Sequence, residues 1–181
     1  VRAICSAWCR RATIASVELE VAGSEVAQIV AWVRAALPFE ACGLLVGRAH
    51  ADGRVTVVRA VLARNATDEP AQDRYEVHPE DFLASDRAAR ADGLDIVGVW
   101  HSHPDSAARP SRTDLERAWP GWSYLIVGRA AHADLHVRSW RVDEDGAAHE
   151  ERLCEPLTES RTEARVAGRD HFGRPSVTIA S

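Results

Sequence analysis

Apolar side chains recur at intervals of three and four from Ser24 to about Ala36, with Val26, Ile29, Val30 and Val33 on one side and Leu37 following. That spacing predicts an amphipathic helix with Ser24 as its N-cap and Pro38 as its stop. The pattern then changes to short apolar runs, Cys42 to Gly47 and Val55 to Leu62, separated by the turn-forming pair Asp52-Gly53. Together these predict a hairpin. Asn65 to Gln72 is polar and irregular, Tyr75 to Val77 has strand character, and His78-Pro79 opens a helix that reaches Arg90 and ends at Asp92-Gly93.

Asp95 to His103 is apolar on both faces until the histidines, the pattern of a central strand covered from each side, and Pro104 terminates it. A loop to Pro110 leads into a short helix from Ser111 to about Ala118. Strands are expected near Trp122 to Gly128, Leu135 to Val142 and Ala148 to Leu153, with a turn at Gly146. The expected fold class is α/β, a mixed central sheet flanked by helices.

At 181 residues the chain fits one such core. Its expected organisation is an N-terminal arm over 1–15, a catalytic domain over 16–155 and a C-terminal tail over 156–181. The arm lacks the apolar stretch of a secretory signal. No run approaches the roughly 20 apolar residues of a membrane span, so no membrane partner is expected. The formal charge is −5 from 22 basic and 27 acidic side chains, without a dense basic cluster, which argues against nucleic acid as a partner. The 4 cysteines are scattered, as expected of a cytoplasmic protein. Cys5 and Cys9 have no matching second pair and read as unpaired thiols on the arm.

The chemistry concentrates in HSHPDSAARPSRTD, His101 to Asp114. Side chains alternate along a strand, so His101 and His103 are expected on one face with Val97 and Val99 beneath them. The loop lets the chain turn back and bring the Asp114 carboxylate from the first turn of the next helix. Two imidazoles and one carboxylate leave a fourth tetrahedral position open, the arrangement of a catalytic zinc site. Iron uses the same ligand types. Ser111 to Asp114 also fits the Ser-x-x-acid pattern of a helix capping box.

His101-Ser102-His103, seven residues, Ser111, two residues and Asp114, with Glu40 upstream in FEACGLLVGR, resembles the motif of the JAMM (MPN-plus) metalloproteases. The likeness covers roughly Ser16 to Leu153 and is closest to the short stand-alone bacterial members that act with ubiquitin-like sulfur carriers. It implies a fold similar to cytidine deaminases, a zinc ion on His101, His103 and Asp114, and hydrolysis of a peptide or isopeptide bond after the C-terminal glycine of a ubiquitin-like or sulfur-carrier protein. It also implies Glu40 as the base that takes the water's proton and Ser111 as the oxyanion donor.

Competing readings are a metal-free interaction scaffold, which the complete ligand set opposes, and a zinc deaminase of a small molecule, whose His-x-Glu and Pro-Cys-x-x-Cys pattern is missing. A serine nucleophile lacks its Gly-x-Ser-x-Gly elbow. Cys42, inside an apolar strand, reads as a core residue rather than a nucleophile. His132 and His136 are assigned no role, and Trp100, beside His101, is expected to help shape the cleft.

Overall fold

The computed structural model describes residues 17–67, 75–129 and 134–156. The arm, the tail beyond Pro156, Cys5, Cys9 and His132 lie outside them. Ten elements follow in order: β1 (Glu18–Val21), α1 (Gly23–Ala36), β2 (Cys42–Ala49), β3 (Val55–Ala63), α2 (Pro79–Ala91), β4 (Asp95–His103), α3 (Arg112–Arg117), β5 (Ser123–Gly128), β6 (His136–Val142) and β7 (Ala148–Cys154). No helix among the described residues is long and apolar enough to cross a membrane.

The sheet is mixed, as expected, but it closes into a barrel in the order β1-β3-β2-β4-β5-β6-β7. The closing element is β1, which pairs in parallel with both β3 and β7. Its four residues, Glu-Leu-Glu-Val, alternate acids with the apolar core residues Leu19 and Val21, and the second acid, Glu20, is buried against Arg54 and Thr56. So short a segment carries too little pattern to be read as a strand in isolation, yet it removes both sheet edges. The segment Tyr75 to Val77, expected as a strand, forms only a single bridge, Asn65 to Val77.

Two apolar layers lie on either side of the sheet. On one, Leu19, Val57, Trp100, Leu125 and Val127 pack with Ile29 and Val33 of α1. On the other, Leu44, Ile96, Val99 and Ile126 pack with Phe82 of α2, Leu115 of α3 and Trp122. Strand β4 is buried along both faces after Asp95, as its composition predicts.

Three local expectations are corrected. Helix α1 begins at Gly23 without a side-chain cap, and the Gly23 N–H donates to the Glu155 carboxylate at 3.1 Å, so a distant residue does what Ser24 was expected to do. Val97 does not share the face of Val99. Strand β2 pairs Leu45 with Gly98 and then Val46 with Ile96, leaving Val97 as the extra residue of a bulge. Val97 therefore joins the α1 layer while Ile96 and Val99 stay on the opposite side. Trp100 also faces the α1 layer, fully buried, stacked on Trp32 at 5.6 Å and donating its indole N–H to the Val61 carbonyl. It builds the core, not the cleft.

Candidate metal centre

His101 and His103 end the central strand, where β4 runs parallel to β5 and antiparallel to β2. Both rings are buried, and their Nε2 atoms lie 3.1 Å apart. The chain beyond Pro104 folds back, and Asp114 Oδ2 comes within 3.5 Å of His101 Nε2 and 3.4 Å of His103 Nε2. Three donor atoms on the corners of a tetrahedron around zinc, with bonds of about 2.0–2.1 Å, stand about 3.3 Å from one another. The observed triangle matches that size. Among the described residues these three form the group whose donor atoms converge closely enough to hold a metal ion.

The surroundings prepare each donor. His103 Nδ1 lies 3.1 Å from the Ala107 carbonyl, which can only accept, so Nδ1 carries the hydrogen and Nε2 keeps its lone pair for a metal. No hydrogen-bond partner meets His101 Nδ1 among the described residues. That ring is held instead by Tyr75, stacked on it at 4.1 Å and 20°. Burial, then the Asp114 charge, pushes the Tyr75 hydroxyl well above its usual range, so it stays protonated. Burial holds His101 below the ordinary imidazole value. For His103 burial acts downward too, but Asp114 and the Ala107 carbonyl outweigh it and raise the ring. Burial would raise Asp114, yet its bonds to His101, His103 and Ser111 keep it well below the carboxylate range. The carboxylate is therefore ionised, as a metal ligand must be.

The capping-box and metal readings of Ser111 and Asp114 describe one arrangement. Ser111 Oγ accepts the Asp114 N–H at 3.1 Å, and Asp114 Oδ2 accepts the Ser111 N–H at 2.7 Å while facing both histidines. Because Ser111 Oγ acts as an acceptor there, its own hydrogen remains available to donate.

Glu40 is buried at the entry to β2. Its charge contributes to raising His103, Cys42 and Tyr75, so it lies within electrostatic reach of His103. Its neighbour Ala41 is bonded to Ser102, the residue between the histidines. Cys42 is fully buried, as expected of a core residue, and its thiol is pushed up to about 12 by burial and by Glu40. His136 begins β6 and is not one of the converging donors.

Several contributors escaped the sequence reading. The loop after Pro104 is drawn over the end of β5, where Trp140 donates its indole N–H to the Ala108 carbonyl and Arg129 N–H donates to the His103 carbonyl. Gly128 lies so close beneath it that a Cβ there would stand 2.2 Å from Ala108 N. Beside Asp114 opens a cleft of ≈ 470 Å³ lined in part by Tyr75, Phe82, Trp119, Trp122 and Tyr124. A His-x-His pattern carries no trace of these residues, which arrive from four separate segments.

The chain belongs to the family described as prokaryotic homologs of the JAB domain, which matches residues 24–143. It is similar to a protein of Haloferax volcanii named desampylase, 42% identical over 108 residues, 59% of this chain and 73% of that one. A second relative, named CysO-cysteine peptidase, from Mycobacterium tuberculosis, is 34% identical over 125 residues, covering 68% of this chain and 81% of the relative. Among solved structures, a protein of Desulfitobacterium hafniense superposes with a TM-score of 0.66 at 32% identity, over 78% of this chain and 97% of its own. A Salinibacter ruber protein gives 0.60 at 38% identity over 78% of this chain and 93% of its own.

Proposed function

We propose that this chain is a zinc-dependent peptidase or isopeptidase that hydrolyses the amide bond following the C-terminal glycine of a ubiquitin-like or sulfur-carrier protein. The observation that carries the metal chemistry is the triangle of His101 Nε2, His103 Nε2 and Asp114 Oδ2, sized for a tetrahedral ion with one position to spare. Family membership and relatives named for acting on protein conjugates support the substrate class. Free Cys42 and Cys154 accord with a cytoplasmic location. The catalytic unit is taken as residues 16–155.

Zinc, when bound, would lower the pKa of a water and polarise the scissile carbonyl. The chain's own residues supply the rest. Glu40, buried at the entry to β2, takes the proton of the attacking water and hands it to the departing nitrogen, which an amide requires because an unprotonated amine leaves poorly. The Ser111 hydroxyl donates to the oxygen that gains charge as the carbonyl becomes tetrahedral. Tyr75 keeps the His101 ring oriented, and the Ala107 carbonyl keeps His103 in its donating tautomer.

The test combines elemental analysis with cleavage of a sulfur-carrier protein extended by one residue beyond Gly-Gly. About one zinc per chain is expected, lost in His103→Ala and Asp114→Ala and retained in an inactive Glu40→Gln. Less than a tenth of an equivalent of transition metal after zinc is offered would sink the metal site. Zinc-loaded protein that binds but never cuts carrier conjugates would favour an interaction scaffold instead.

A further inference from the structure

The aromatic cleft beside Asp114 has a chemistry that a diglycine tail cannot use. Its volume, ≈ 470 Å³, is that of a small-ligand site, for which roughly 300–1,000 Å³ is usual. Phe82 and Trp122 stack within it at 6.4 Å, and Trp119 tilts against Trp122 at 4.9 Å while remaining 59% exposed. Such walls favour a flat or bulky apolar group.

The cleft also holds a cation. Arg117 lines it together with Asp114 and Thr113. Three residues apart on α3, Asp114 and Arg117 share one helix face, with Cβ atoms about 5–6 Å apart. Arg112 on the same helix is paired with Glu116, whereas Arg117 forms no ion pair among the described residues. A guanidinium one step along the helix from a metal-facing carboxylate is suited to a second carboxylate, brought by the substrate.

We propose that this cleft is the leaving-group subsite and selects a C-terminal residue with a large apolar side chain whose free α-carboxylate pairs with Arg117. The proposal rests on the carrier-protein reading above, because glycines on the acyl side of the scissile bond have no side chains to fill the space. The occupant then comes from the amine side. A leaving residue sets its carboxylate two bonds from the departing nitrogen, on the side where Arg117 shares the cleft with Asp114.

The experiment compares kcat/KM for a sulfur-carrier protein extended after Gly-Gly by Phe, Leu, Ala or Lys, and by Phe with its carboxylate capped as the amide. Phe and Leu should exceed Ala by about tenfold, and the amide cap should lower the Phe rate by a similar factor. Arg117→Gln should erase the acid-over-amide difference, and Trp119→Ala should shrink the Phe-over-Ala ratio. Equal rates for Phe, Ala and Lys, or a preference for Lys, would overturn the proposal. A titration independent of turnover follows the tryptophan indole N–H resonances of zinc-loaded protein as free phenylalanine, phenylalaninamide or alanine is added. Saturable shifts with phenylalanine alone, lost in Arg117→Gln, support the subsite even if no carrier fusion is cut, in which case only the carrier assignment fails. Absence of such shifts overturns the subsite whatever the carrier does.

Discussion

Ser102 and Ala41 are bonded to each other twice: the Ser102 N–H donates to the Ala41 carbonyl at 3.0 Å, and the Ala41 N–H donates to Ser102 Oγ at 2.9 Å. Ser102 separates the two histidines, and Ala41 follows Glu40, so this double link fixes the carboxylate segment against the donor strand. In the sequence motif Ser102 is assigned no role of its own. Ser102→Ala leaves a buried N–H without its acceptor, at a cost of about 1–3 kcal/mol. It should retain zinc and lose both melting temperature and turnover. A variant equally destabilised but with unchanged turnover would show that the link serves the fold alone.

Under the proposed mechanism Ser111 carries two separable duties. As N-cap of α3 it is worth about 1 kcal/mol, and as the proposed oxyanion donor about 100-fold to 1,000-fold in rate. Ser111→Ala should keep its metal, melt slightly lower and slow the chemical step. Ser111→Asp, which restores a cap without a hydroxyl donor, should recover stability and leave the rate low. Recovery of both would assign the loss to the cap.

Gly128 reaches the metal centre through the loop above it. A Cβ at this position would meet backbone atoms, Ala108 N at 2.2 Å and Ala107 C at 2.5 Å, so the loop itself must move. The Ala107 carbonyl is the acceptor for His103 Nδ1. Gly128→Ala is therefore expected to weaken zinc about 10-fold to 100-fold, the usual effect of losing a ligand's supporting hydrogen bond. Gly121→Ala is the control: its positive φ of 83° makes the change strained, but its Cβ meets nothing within 4 Å. Competition with a chelator should show weakened zinc in the first variant and unchanged zinc in the second.

What could be read in advance was local. The alternation of β4 put His101 and His103 on one face, and the Ser111-to-Asp114 cap pattern starts a helix while holding the Asp114 carboxylate against both histidines. Tyr75 on His101, Phe82 on Trp122, and Glu155 on the first turn of α1 meet their partners across long stretches of chain. No spacing rule encodes such meetings. The bulge at Val97 is a different kind of failure, since one extra residue reverses the face of every position before it. Reading alternation back from the histidines was valid to Val99 and invalid beyond.

Cys42 supplies a pH test of the local environment. Burial, then the charge of Glu40, pushes its thiol up to about 12, whereas an unfolded cysteine ionises near about 8.5. Between those values the unfolded chain releases a proton that the folded chain holds. Folding is thus linked to proton uptake: the contribution is intact below about pH 8 and is lost as pH rises toward the folded value. The limiting slope is about 1.4 kcal/mol per pH unit. Urea unfolding at about pH 7.5, 9 and 10 should show this decline in the wild type and a shallower one in Cys42→Ala, the difference isolating the thiol from the tyrosines and other cysteines that titrate alongside. The folded protein should also resist alkylation at Cys42 at about pH 8, because so little of the thiolate exists there. Parallel pH slopes in the two proteins, or rapid modification of Cys42 in the native state, would mean that the thiol is more exposed than its place in β2 indicates, and a nucleophilic role for it would have to be reopened.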